Sequence, residues 1–188
     1  MTLLALMRHG ATEWSETGRI QGRRDVPLSA AGRAALAGRM LPAECNDMKK
    51  VTSPLRRCVE TAELLGAGEA LPEARIVEMH WGAWEGRTLA ELRAELGAAM
   101  RQNEARGLDF RPQDGESPRE VLARVTSWLA GIQVATFAVT HRGVIRVILA
   151  AATGWDMTGK PPARLDWTAV HFFSVSGGRP RIERLNAG

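Results

Sequence analysis

The chain has 188 residues, 45% of them hydrophobic and 24% charged, with 25 Lys+Arg against 21 Asp+Glu for a formal charge of +4. That length suits one domain spanning 1–188 with a sizeable core, and the composition excludes a disordered tail, an acidic block and a low-complexity repeat. Nearly all the cationic side chains are arginine, since lysine occurs only as Lys49, Lys50 and Lys160, which favours fixed, forked anion contacts over a diffuse basic surface.

In chain order, residues 3–7 read as a short buried strand that runs into Arg8-His9-Gly10. Residues 18–27 form a polar loop carrying Arg19, Arg23 and Arg24. Ser29 is the predicted N-cap of a helix over 30–40, with Pro42 just beyond its end. A second strand is expected over 49–52, after which Ser53 caps and Pro54 opens a helix that runs to 65 and stops at Gly66. A third strand over 75–78, a mainly helical stretch over 88–106 and an amphipathic helix over 117–130 follow. Residues 134–140 are the most apolar strand and run into His141-Arg142-Gly143, with a helix over 144–153 behind them. The chain closes on 168–175, Gly177-Gly178 and 179–185, the shape of a terminal hairpin. Strands alternating with helices predict a three-layer α/β fold: a mostly parallel central sheet, helices on both faces and the C-terminal hairpin at one edge.

The arginines are dispersed and mix with glutamates over 87–106 and 116–131, the pattern of solvated helix faces, so nucleic acid is not an expected partner. Cys45 and Cys58, with no secretory signal ahead of them, read as reduced thiols. The apolar stretch 3–7 is too short for a signal sequence, and Arg146 interrupts the longest later apolar run, 144–152. The expected setting is therefore the cytoplasm, away from membranes.

Two of the four histidines, His9 and His141, thus stand at strand ends, each beside an arginine and a glycine. Such ends face the crevice where open α/β sheets handle ligands, and paired His and Arg point to an anion, phosphate above all. Arg56 and Arg57 fall in the first turn of a helix, where cations are mildly unfavourable and a bound phosphate would reverse the sign. The third predicted strand ends in Glu78, close in sequence to Trp81 and Trp84. Apolar rings and a phosphate dianion favour a protonated carboxyl, which suits a proton donor, although a solvated strand end beside core tryptophans would look the same. No two histidines lie at helix-face ligand spacing, so no metal is expected. His80 reads as a rim or packing residue and His171 as a satisfied structural one, while Trp14, Trp128, Trp155 and Trp167 read as packing.

The residues 6–14 (Leu-Met-Arg-His-Gly-Ala-Thr-Glu-Trp), 18–29, 52–57 with Thr61-Ala62, 78–86, 115–117 and 139–141 together resemble the histidine phosphatase superfamily, which contains phosphoglycerate mutases, acid phosphatases and fructose-2,6-bisphosphatases. The resemblance implies that His9 is the phosphorylated nucleophile, that Arg8, Arg57 and His141 complete the phosphate pocket, and that Glu78 is the proton donor. In the family's Ser-x-Leu-x-Arg pattern the second arginine is the ligand, which selects Arg57 over Arg56. Thr12 and Gln21 match positions that touch the phosphate or orient the pocket, and Gly22 and Arg142 complete the expected substrate-binding set. Cations around His9 disfavour its protonated form and free a nucleophilic nitrogen near neutral pH, so no cofactor or metal is needed.

Two departures stand out. Arg142 occupies a position where many relatives carry a small residue; it either adds a cation to the substrate mouth or turns away to a carboxylate. The stretch 86–115 is short beside the phosphoglycerate mutases, whose insertion encloses the substrate. An open mouth favours a metal-independent phosphomonoester hydrolase acting on a small molecule through phosphohistidine over a cofactor-dependent phosphoglycerate mutase. A non-catalytic phospho-ligand binding module is the third reading, disfavoured because binding alone needs neither His9 nor Glu78.

Overall fold

The computed structural model describes residues 1–188. The strands are β1 (Thr2–Arg8), β2 (Lys49–Thr52), β3 (Leu71–Pro72), β4 (Thr136–Thr140), β5 (Val170–Ser176) and β6 (Arg179–Ala187). The helices are α1 (Glu13–Glu16), α2 (Ala30–Leu36), α3 (Arg56–Leu64), α4 (Leu89–Leu96), α5 (Ala98–Glu104), α6 (Pro118–Ala130) and α7 (Arg142–Thr153).

Along β1 the pleat sends Leu4 and Leu6 to one face, against Val125 of α6 and Ile145 and Ile148 of α7. Ala5 and Met7 go to the other, against Leu36 of α2 and Cys58 and Ala62 of α3. β4 and β5 divide in the same way, Ala138 and Phe173 to the first core, Phe137 and Phe172 to the second. A strand apolar on both faces has to be covered twice, and that fixes the three layers. The sheet order is β3-β2-β4-β1-β5-β6, parallel from β3 to β1 and antiparallel through the β5–β6 hairpin. This is the expected mostly parallel sheet with a hairpin at one edge. Thr140 lies opposite Arg8 and Val139 opposite Thr52, so the chain leaves β1, β4 and β2 side by side as His9, His141 and Ser53. A third, small cluster of Trp84, Leu92 and Met100 builds a cap of α4 and α5 beside that crevice.

Several expected elements differ. Residues 75–78 are not a strand: Ala74–Ile76 is a 3-10 turn and β3 lies earlier. Side chains take the carbonyls that a ladder would use, Arg124 those of Arg75 (2.6 Å) and Glu78 (3.2 Å), and Thr140 that of Ile76 (2.8 Å). The helix expected from Pro54 starts at Arg56, because the Ser53 hydroxyl is spent on His141 and Asp25 caps the helix instead, its Oδ1 accepting the Arg56 N–H at 2.7 Å. The Arg56 N–H at its N-terminus therefore meets a carboxylate. The helix expected over 30–40 ends at Leu36, since Ala37 is already extended. The stretch 88–106 breaks at Gly97, whose φ of +52° no ordinary residue adopts cheaply, into α4 and α5. The helix expected from Val144 begins two residues earlier, at Arg142, and α1 lies in a stretch where no helix was expected. No helix is long and apolar enough to cross a membrane. Cys45 and Cys58 are buried and free.

Glu60 of α3 ties the loop 18–28 to the helical layer. It is 8% exposed; its Oε2 accepts the Leu28 N–H (2.9 Å) and an Arg33 Nη2 donor (2.8 Å), and its Oε1 the Arg56 Nε–H (2.6 Å). Burial pushes the carboxyl's pKa up, but these donors outweigh it and the net value lies below the ordinary one. Glu60→Ala leaves the Leu28 N–H unpaired and is expected to cost about 1–3 kcal/mol in urea unfolding at neutral pH. A lowered carboxyl stabilises above its unfolded pKa and stops doing so as pH falls through its folded value, so the gap between the two proteins should narrow in acid.

Candidate active site

Gly10, just past β1, donates its N–H to Thr61 Oγ1 at 2.9 Å, and Thr61 in turn donates to the Arg57 carbonyl at 2.6 Å, which pins the turn after β1 onto α3. His9 is held in that turn and is 4% exposed. Its Nδ1 lies 2.7 Å from the Gly10 carbonyl oxygen. A carbonyl can only accept, so Nδ1 carries the ring proton, and in the neutral ring Nε2 keeps its lone pair.

His141, at the end of β4, stacks at 5.3 Å between ring centroids and a 59° tilt from His9. Its Nε2 lies 2.7 Å from Ser53 Oγ and 3.4 Å from Cys58 Sγ. Arg57 has no solvent exposure; its Nη1 donates to the Arg24 carbonyl (2.8 Å) and its Nη2 to that of Gly22 (2.7 Å). Arg56, one residue earlier, is exposed and bound to Glu60, so only the second arginine of the pair is buried beside the histidines. Arg8 and Arg57 each keep a buried Nε–H with no partner. Each such donor costs about 1–3 kcal/mol until an anion meets it.

Burial first, then Arg8 and Arg57, holds His9 well below the ordinary imidazole value. His141 is lowered by burial, then by Arg57 and His9. Burial also lowers Arg8 and Arg57, with Glu78 pulling the other way on each. Glu78 is 9% exposed and fixed by two backbone donors: Met79 N–H to Oε1 (2.9 Å) and Gly143 N–H, in the first turn of α7, to Oε2 (3.3 Å). A Cβ on Gly143 would come within 2.2 Å of Glu78 Oε1, so the carboxyl can lie here only because glycine follows Arg142.

The remaining expected residues divide. The Thr12 hydroxyl accepts the Ser15 N–H (3.1 Å) and donates to Gln21 Oε1 (2.8 Å), so Thr12 orients Gln21. Gly22 bears on the pocket through its carbonyl on Arg57. Arg142 is exposed and turns neither to a carboxylate nor into the His9 turn; its guanidinium sits 5.0 Å over the Trp167 ring. His80 is half-exposed, 3.9 Å from the Glu85 carboxylate. His171 is buried opposite Leu6, with Nδ1 accepting the Asn186 N–H (3.2 Å) and Nε2 unpartnered, so it is structural but only half satisfied. Trp128 is core, while Trp81 and Trp84 pack edge-on against Phe110. Ser53, Cys58 and Thr61, which brace His141 and the turn after β1, carried no functional expectation; the signal was there in that Ser53 and Thr61 fall inside the matched segments, but Ser53 read as a cap.

The family model of the histidine phosphatase superfamily (branch 1) matches residues 4–188. A glucosyl-3-phosphoglycerate phosphatase of Mycolicibacterium vanbaalenii is 32% identical over 176 residues, covering 84% of this chain and 77% of that protein. Phosphoserine phosphatase 1 of Hydrogenobacter thermophilus is 32% identical over 170 residues, 84% of this chain and 79% of its own. Among solved structures, a mycobacterial glucosyl-3-phosphoglycerate phosphatase in complex with VO3 superposes with a TM-score of 0.79 at 26% identity over the whole of each chain. The chain therefore belongs to the histidine phosphatase superfamily. Within it, the chain falls among the phosphatases.

The His9 geometry is checked by ¹⁵N NMR. At about pH 6, where a free histidine is largely protonated, His9 should show a protonated Nδ1 and a bare Nε2, and Arg8→Gln should move its titration upward.

Proposed function

We propose that the chain hydrolyses small-molecule phosphomonoesters through a phosphohistidine on His9, without a metal. The observation that carries this reading is the His9 ring itself: proton on Nδ1, lone pair on Nε2, and a protonated form disfavoured by burial and two guanidiniums. In the first step Nε2 attacks phosphorus and the ester P–O bond breaks, with Glu78 giving its proton to the departing oxygen. In the second, water attacks the phosphohistidine, Glu78 takes the water's proton, and the P–N bond breaks to release phosphate and restore His9. Arg8 and Arg57 neutralise the equatorial oxygens and neutral His141 adds a hydrogen-bonding ring, which is the larger part of phosphoryl-transfer catalysis. A wall of guanidiniums repels a divalent cation, and no three His, Cys, Asp or Glu side chains gather as a metal cluster.

The activities for which the relatives are named, on glucosyl-3-phosphoglycerate and on phosphoserine, support a phosphorylated metabolite as substrate over a nucleic acid. The short 86–115 segment supports hydrolysis over return of the phosphoryl group, since it holds no more than α4, α5 and the 3-10 turn Gly107–Asp109. Two free buried thiols fit a reducing, cytoplasmic setting.

With an aryl phosphate in the presence of chelator, turnover is expected, and His9→Ala should reduce it by roughly 10⁴-fold or more. Acid-labile, base-stable label on protein quenched during turnover should vanish in the same variant; activity that survives the substitution refutes the nucleophile. Glu78→Gln should slow alkyl phosphates about 10²-fold more than an aryl phosphate whose leaving group needs no proton. Equal losses on the two substrate types would remove Glu78 as donor.

A further inference from the structure

Between α7, which begins one residue past His141, and the segment 154–169 lies a cavity of about 310 Å³ whose lining includes Arg142, Arg146, Arg164, Leu149, Leu165 and Trp167. Three guanidiniums thus share one cavity. Many other arginines meet a carboxylate, as Arg93 meets Glu104 and Arg119 meets Asp109. None of Arg142, Arg146 and Arg164 has a carboxylate within ion-pair distance, and no acidic residue lines the cavity.

Two of the three are also stiffened. Arg142 lies 5.0 Å over the Trp167 ring, and Arg146, one helical turn on, 5.1 Å over Trp155. An indole face takes one side of a guanidinium and leaves its planar edge of N–H donors directed outward, the geometry that forks onto a carboxylate or phosphate. Gathering like charges at a half-buried site is unfavourable by itself; burial and then Arg142 lower the pKa of Arg146. A ligand anion would offset that repulsion. The cavity is tied to the candidate site through the first turn of α7, where Arg142 stands between His141 and Gly143, whose N–H donates to Glu78 Oε2 at 3.3 Å.

We infer that this cavity is a subsite for a second anionic group of the substrate, a carboxylate or a further phosphate, carried on the same small molecule as the phosphomonoester. The inference rests on the phosphatase reading for the position of the reacting phosphate, and on Arg142, Arg146 and Arg164 for the remote group. The apolar wall of Leu149, Leu165 and Pro161 takes the carbon skeleton between the two charges. Arg142 is the hinge of the arrangement, a cation that serves the remote anion while standing one residue from the pocket.

The test uses three compounds built on one three-carbon skeleton as competitors of aryl phosphate hydrolysis: 3-phosphoglycerate, glycerol 3-phosphate and glycerol 1,3-bisphosphate. The first and third carry a second anion and the other a hydroxyl in its place. The inhibition constant of at least one dianionic-ended compound should lie about tenfold or more below that of glycerol 3-phosphate. Which of the two gains identifies carboxylate or phosphate. In an Arg146→Met, Arg164→Met double variant that ratio should fall at least fivefold, and because it is a ratio a general loss of activity does not move it. Equal constants for all three compounds, or a ratio that the double variant leaves unchanged, overturns the inference. If the protein fails to hydrolyse the aryl phosphate, the phosphatase reading falls, and calorimetric ranking of the same three compounds still decides the subsite.

Discussion

The site depends on keeping the Arg57 guanidinium charged with no contact to water. Burying a cation costs several kcal/mol, and the usual remedy is a carboxylate. Here the remedy is two backbone carbonyls, those of Gly22 and Arg24. The difference is chemical as well as energetic. Carbonyl dipoles satisfy N–H donors without cancelling the charge, so the positive field survives to hold the neighbouring imidazoles neutral and to meet a phosphate. An ion pair on Arg57 would weaken the positive field that adds to burial and Arg8 in holding His9 neutral.

Holding the carbonyls still is then the problem that the fold around 18–28 solves. Asp25 caps α3, Glu60 takes the Leu28 N–H, and Glu85 takes the Arg23 N–H at 2.9 Å, so the loop is tied to α3 at two points and to the 82–86 turn at a third. Parallel pairing of β1, β4 and β2 brings His9, His141 and Ser53 to one edge, and the loop brings the carbonyls that hold Arg57. Sheet and loop thus divide the work. Register positions the imidazoles, and acidic side chains position the cation.

What the sequence made legible follows from this division. β1 and β4 announce themselves through apolar runs that end in Arg-His and His-Arg, because a doubly covered strand has to be apolar throughout. The terminal hairpin is likewise marked by Gly177-Gly178. Residues 75–78 look like a strand through the β-branched pair Ile76-Val77, but a strand needs a free ladder, and Arg124 and Thr140, remote in sequence, take those carbonyls first. Ser53 carries a strong capping signal one residue from a proline, and a local rule cannot see that a histidine 88 positions away competes for its hydroxyl. Arg57 was separable from Arg56 only through the resemblance to a family; in space the two differ completely, one buried on carbonyls and one exposed on Glu60. Local patterns set the elements, and long-range polar pairing decides which polar groups the site receives.

The two ends of the crevice answer to different constraints. On the phosphate side, His9, His141 and Arg57 are buried and interlocked, so a change in any one disturbs the others through shared burial and charge. On the far side, Arg142 and Arg146 rest on tryptophans presented by 154–169, outside the sheet and free of hydrogen bonds to the phosphate pocket. Arg142 sits on the boundary: the next residue, Gly143, donates its N–H to Glu78, while the Arg142 guanidinium rests on Trp167, so one turn of α7 serves both sides.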